Sequence, residues 1–120
     1  MIAEVRAAWL DHLVVAFPAQ SLTLDQFEAI ALQFGNFGID PYFKGLSDHP
    51  HIAEVKRNAD ETTPLFAESW HSDWSFLATP PSATMLYGRV IPPEGGDTLF
   101  ANQVAAYKGR SEERRVGKEC

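Results

Sequence analysis

His71 and Asp73 stand two positions apart in the run Trp70-His71-Ser72-Asp73-Trp74-Ser75-Phe76. In an extended segment, residues at that spacing project to the same side, so an imidazole and a carboxylate are presented together. Both are good donors to divalent iron, and three protein ligands on one face of such an ion leave its other positions open for substrate and oxygen. The pair is two-thirds of such a facial set. Taken alone it says little, because 16 of the 120 residues are acidic and four are histidine. A core histidine bonded to a neighbouring aspartate is the ordinary structural alternative. Trp70, Trp74 and Phe76 flank the pair. Trp74 and Phe76 are candidates for the wall of a substrate pocket that keeps bulk water from a reactive centre, or for plain core.

The surroundings of the pair carry more information. The Trp-His-Ser-Asp-Trp-Ser-Phe run, the Thr79-Pro80-Pro81 that follows it, and Pro92-Pro93-Glu94-Gly95-Gly96-Asp97-Thr98-Leu99-Phe100-Ala101-Asn102 resemble, in order and spacing, the taurine dioxygenase and 2,4-dichlorophenoxyacetate dioxygenase family of Fe(II)/2-oxoglutarate-dependent oxygenases. The similarity runs over about residues 13 to 109. The resemblance implies that His71 and Asp73 are iron ligands. It also implies that Thr98, otherwise a β-branched residue starting a strand, bonds a carboxylate of the cosubstrate 2-oxoglutarate. The implied reaction consumes 2-oxoglutarate and O2, releases succinate and carbon dioxide, and hydroxylates a C–H bond of a small organic acid or sulfonate. Position 67, four before the metal histidine, is Ala67, where taurine dioxygenases have a substrate-contacting asparagine. That difference argues against taurine and leaves organic acids, sulfonates and aryloxyalkanoates.

One part of the family pattern is missing. A second histidine from a strand far downstream, with a carboxylate-binding arginine shortly after it, has no counterpart, since no histidine follows Asp73. Arg89 comes too early for that arginine. His12, His49 and His51 all precede the motif. The resemblance is therefore to an N-terminal part of such a domain, residues 1–109, lacking a complete site and inactive alone. Two other readings compete: a non-catalytic jelly-roll domain keeping these residues for packing or weak metal binding, and a gene fragment without function or stable fold.

The elements that must position these residues can be read along the chain. Ile2, Val5, Trp9 and Leu13 fall near helical spacing and predict an amphipathic helix. Leu13 to Phe17 is a short apolar run closed by Pro18, a candidate strand. Thr23-Leu24-Asp25-Gln26 has the form of a capping box, and the helix it opens turns Leu24, Phe27, Ile30, Ala31 and Phe34 inward before Gly35 stops it. Residues 36–50, rich in Gly, Pro, Asp and Asn, read as a long connection. His49-Pro50-His51 reads as an exposed turn. Residues 52–55, 84–91 and 98–101 read as further strands, with a tight turn at Gly95-Gly96 and a helix start at residues 104–107. Strands joined by Gly/Pro turns predict a mainly β fold with edge helices, an incomplete double-stranded β-helix or jelly roll, which is also the fold of the family it resembles.

Composition bounds the rest. A chain of 120 residues with 45% hydrophobic content is one globular domain at most. The net charge of −6 argues against a nucleic-acid-binding surface, and no stretch reaches membrane length. No secretory leader is visible at the start, so the expectation is a cytoplasmic enzyme acting on a small molecule, with homo-oligomerisation of a full-length parent left open. Residues 110–120 carry seven charges and little apolar periodicity. They resemble one reading frame of a common sequencing adapter and are set aside as non-native, and with them Cys120. The remainder has no cysteine, hence no disulfide and no thiol nucleophile.

Overall fold

The structure is a computed structural model, and it describes residues 1–64 and 67–111. Three helices form among the described residues: α1 (Ile2–His12), α2 (Leu24–Ala31) and α3 (Gln103–Lys108). The chain divides into two units, one made of residues 3–15 with those from 88 onward, the other of residues 16–87.

In the first unit, α1 forms where the apolar spacing places it, with Val5, Ala8 and Trp9 half-buried. It ends because Leu13 turns into the left-handed region (φ 68°) and its N–H reaches back to the Trp9 carbonyl at 2.7 Å. α3 is started by Asn102, whose side-chain oxygen accepts from the Ala105 N–H at 2.9 Å. Ahead of α3, Gly95 and Gly96 both adopt left-handed backbone (φ 73° and 76°), a conformation that side chains penalise.

In the second unit, α2 opens on the capping box that its sequence spells out. The Gln26 N–H donates to Thr23 Oγ1 at 3.2 Å, and the Thr23 N–H donates to Gln26 Oε1 at 2.9 Å. Two backbone donors that a helix start leaves open are thereby satisfied. Leu24, Phe27, Ala31 and Phe34 are half-buried, while Ile30 is exposed. The Tyr87 hydroxyl accepts from the Leu22 N–H (2.9 Å) and donates to the Leu22 carbonyl (3.2 Å), and its ring lies 5.5 Å from that of Phe27.

The expected mainly β jelly roll does not form. None of the described residues is in a β-strand, including the apolar runs 13–17, 52–55, 84–91 and 98–101, and no described residue is fully buried. The physical reason is that a strand is stable only when a neighbour satisfies its N–H and C=O groups. Isolated short strands gain nothing over irregular chain. Helices satisfy their own backbone, and the three capped segments are what remain. At Leu22 both backbone groups are met by the Tyr87 side chain instead of by a ladder.

Residues 36–50, read as a long connection, form a hydrogen-bonded loop. Asp40 Oδ1 accepts from the N–H groups of Tyr42 (2.8 Å) and Phe43 (2.9 Å), an Asx-type turn. Leu46 N–H donates to the Ile52 carbonyl at 2.9 Å and closes the loop. His49 is no exposed turn residue. Its side chain is 16% exposed, with Nδ1 3.1 Å from Glu28 Oε2 and Nε2 3.8 Å from Asp25 Oδ1, so the loop is fastened to α2. His51 stacks on Phe37 with ring centres 4.3 Å apart.

Candidate metal centre

His71 and Asp73 lie side by side, with Nε2 3.2 Å from Oδ1. The segment is irregular, not a strand, and the chain enters a turn at Asp73 closed by Leu77 N–H to the Trp74 carbonyl at 3.1 Å. Trp74 sits in this turn with φ 48°, left-handed backbone that a bulky residue adopts only under constraint.

The outer contacts of the pair determine its chemistry. His71 Nδ1 is 2.8 Å from the Ser69 carbonyl oxygen. A carbonyl can only accept, so Nδ1 carries the hydrogen and the lone pair of the neutral ring is on Nε2. That lone pair faces a carboxylate oxygen at 3.2 Å. Two such atoms repel unless a positive centre lies between them, either a proton, giving an ion pair, or a metal ion. Asp73 Oδ2 is engaged separately, accepting from Thr84 Oγ1 at 3.2 Å.

These donors fit an octahedral divalent ion. Two adjacent ligands about 2.1 Å from such an ion stand about 3.0 Å apart, close to the observed separation. Both side chains are partly open to solvent, His71 at 49% and Asp73 at 40%, so an ion can enter and open coordination positions can face outward. Among the described residues no third His, Cys, Asp or Glu joins them.

The other sequence-derived candidates are placed as follows. Trp74 is half-buried, its ring centre 6.1 Å from that of Phe43; Phe76 is 64% exposed and meets Tyr42 edge-on at 5.9 Å. A cavity of about 310 Å3 opens in the same unit, lined by Phe37, Asp40, Phe43, Gly45, Pro50 and His51 among others, and Phe43 is shared between it and Trp74. Ala67 has left-handed backbone, φ 57°. Thr98 belongs to the other unit, exposed in the irregular stretch after Gly95 and Gly96. Residue-type reasoning missed Thr84, Ser69 and the 37–53 loop. Thr84 gave one weak signal, a hydroxyl opening a largely apolar run. The set-aside tail falls outside the described residues from position 112 on.

Comparison with known proteins gives the frame for this geometry. The family model described as taurine catabolism dioxygenase TauD, TfdA family matches residues 1–116. An (S)-phenoxypropionate/alpha-ketoglutarate dioxygenase of Delftia acidovorans is 30% identical, over 95% of this chain and 42% of its own length. An alpha-ketoglutarate-dependent 2,4-dichlorophenoxyacetate dioxygenase of Cupriavidus pinatubonensis is 31% identical, over 88% and 42%. An alpha-ketoglutarate-dependent sulfate ester dioxygenase of Pseudomonas putida is 31% identical, over 89% and 35%. The chain thus spans about two-fifths of the length of the relatives it matches. No solved structure matches it. No helix among the described residues is long and apolar enough to cross a membrane.

Proposed function

We propose, because this chain belongs to the taurine catabolism dioxygenase TauD, TfdA family, that the protein it represents is an Fe(II)- and 2-oxoglutarate-dependent dioxygenase hydroxylating a C–H bond of a small organic acid. His71 and Asp73 supply two of its three protein ligands. The observation that carries this reading is the 3.2 Å approach of Nε2 to Oδ1, with the His71 tautomer set by the Ser69 carbonyl. The relatives named above act, by their names, on phenoxypropionate, dichlorophenoxyacetate and sulfate esters. With Ala67 in place of an asparagine, aryloxyalkanoates or sulfate esters are better candidate substrates than taurine.

Ser69 holds the His71 ring with its Nε2 lone pair turned toward Asp73, and the Asp73 charge offsets that of the cation. The Thr98 hydroxyl donates to a carboxylate of 2-oxoglutarate. Trp74 and Phe76 give apolar faces that exclude water from the reacting carbon. Bound iron supplies the electron-transfer chemistry that couples decarboxylation of 2-oxoglutarate to hydroxylation by O2. The third ligand and the carboxylate-binding arginine are assigned to sequence beyond residue 109, in line with the two-fifths coverage of the relatives.

The test is succinate release from 2-oxoglutarate with Fe(II) and O2, using a protein whose reading frame is extended past residue 109, beside its His71→Ala and Asp73→Ala variants. Loss of turnover in both variants is expected. Equal turnover in all three removes the ligand assignment. The 120-residue chain by itself is expected to show no turnover.

A further inference from the structure

We infer that Thr84 is a positioning residue for the metal site, one that fixes which oxygen of Asp73 meets the ion; this rests on the proposed function above. A carboxylate 40% exposed to solvent can rotate about its last bond and present one oxygen or both. Here the two oxygens are made unequal. Thr84 Oγ1 donates to Oδ2 at 3.2 Å, whereas Oδ1 is the atom 3.2 Å from His71 Nε2. With Oδ2 engaged, Asp73 offers a single oxygen, which leaves one more coordination position open than two-oxygen binding would. The donor comes from eleven residues downstream, across the turn that begins at Asp73. Threonine suits the task, because β-branching restricts its first side-chain torsion and keeps the hydroxyl aimed. The imidazole has its own outer partner in the Ser69 carbonyl. Each ligand is therefore oriented by one hydrogen bond from outside the pair, the arrangement that tunes metal sites generally.

The experiment is an anaerobic titration of the 120-residue chain with Fe(II) alone, following bound metal and the infrared carboxylate bands that separate one-oxygen from two-oxygen coordination. Thr84→Val keeps the shape and removes the hydroxyl; Thr84→Ser keeps the hydroxyl. Thr84→Val is expected to bind about 10- to 100-fold more weakly and to shift toward the two-oxygen signature, with Thr84→Ser close to the parent chain. The inference is overturned if Thr84→Val binds like the parent, or if Thr84→Ser falls as far as Thr84→Val, which would make the side chain a matter of packing. His71→Ala and Asp73→Ala serve as references. If they weaken binding and Thr84→Val does not, only the role of Thr84 is lost; if neither weakens it, the proposed function falls as well.

Discussion

A methyl group added at Gly45 should open the loop that lines the cavity, whereas the same change at Gly38, in the same wall, should not. A Cβ built on Gly45 would overlap the carbonyl oxygen, carbonyl carbon and Cα of Pro50, and backbone cannot swing aside as the end of a side chain can. A Cβ on Gly38 would meet only Pro81 Cβ at 3.9 Å, an ordinary contact. Moving Pro50 away breaks the Leu46 to Ile52 hydrogen bond, a loss of about 1 kcal/mol. It also withdraws the adjacent His49 from Glu28, and a hydrogen bond to a charged group is worth about 1.5–3 kcal/mol. The closed loop should therefore lose about 2.5–4 kcal/mol by Gly45→Ala, a fall in its population of about sixtyfold or more at about 1.4 kcal/mol per factor of ten. Amide exchange at Leu46 and the ring resonances of His49 report it directly. Gly38→Ala should leave both in place. Undisturbed Leu46 exchange and His49 shifts in Gly45→Ala would refute the claim that the close approach at Pro50 holds this loop.

Three further outcomes follow from the same geometry. Thr23→Ala removes one half of the capping box and should weaken α2 by about 1 kcal/mol, seen as lost amide protection over Leu24–Ala31; unchanged protection would show that the box is not what starts the helix. Metal affinity should fall as the solution is acidified, because imidazole and carboxylate bind an ion only in their deprotonated forms. A flat profile would mean that neither atom is a ligand. Trp74→Gly should keep the Leu77 to Trp74 turn bond while removing the indole from beside the Phe43 ring, since glycine takes positive φ without the 1–3 kcal/mol or so that a side chain suffers there. Loss of the turn would show that the indole, not the backbone, shapes it.

What could be read in the sequence divides by the range of the interactions involved. The Thr23 capping box, the stripe of Val5 and Trp9 in α1 and the left-handed glycines at 95 and 96 depend on neighbours within a few residues, and they stand where residue types put them. The proximity of His71 and Asp73 is likewise local, two positions apart, and it holds although the segment is irregular and enters a turn at Asp73. The jelly roll depends on pairing between segments far apart in sequence, and patterning alone does not supply the partners. Thr84 could not be placed beside Asp73 without knowing the turn that Trp74 makes. His49 differs from its sequence reading for the same reason: the adjacent Pro50 and polar neighbours advertise an exposed turn, while its partners, Glu28 and Asp25, lie more than twenty residues earlier.

The phenol of Tyr87 ties together backbone 65 positions apart. Closing so long a circuit forfeits about 4 kcal/mol of chain freedom by the logarithmic rule. Two neutral hydrogen bonds return about 1–3 kcal/mol, and contact with the Phe27 ring adds about 0.5–1.5 kcal/mol. The balance lies near zero, so this closure is a breathing one, and Leu22 stays against Tyr87 only while the aromatic contact and both bonds act together.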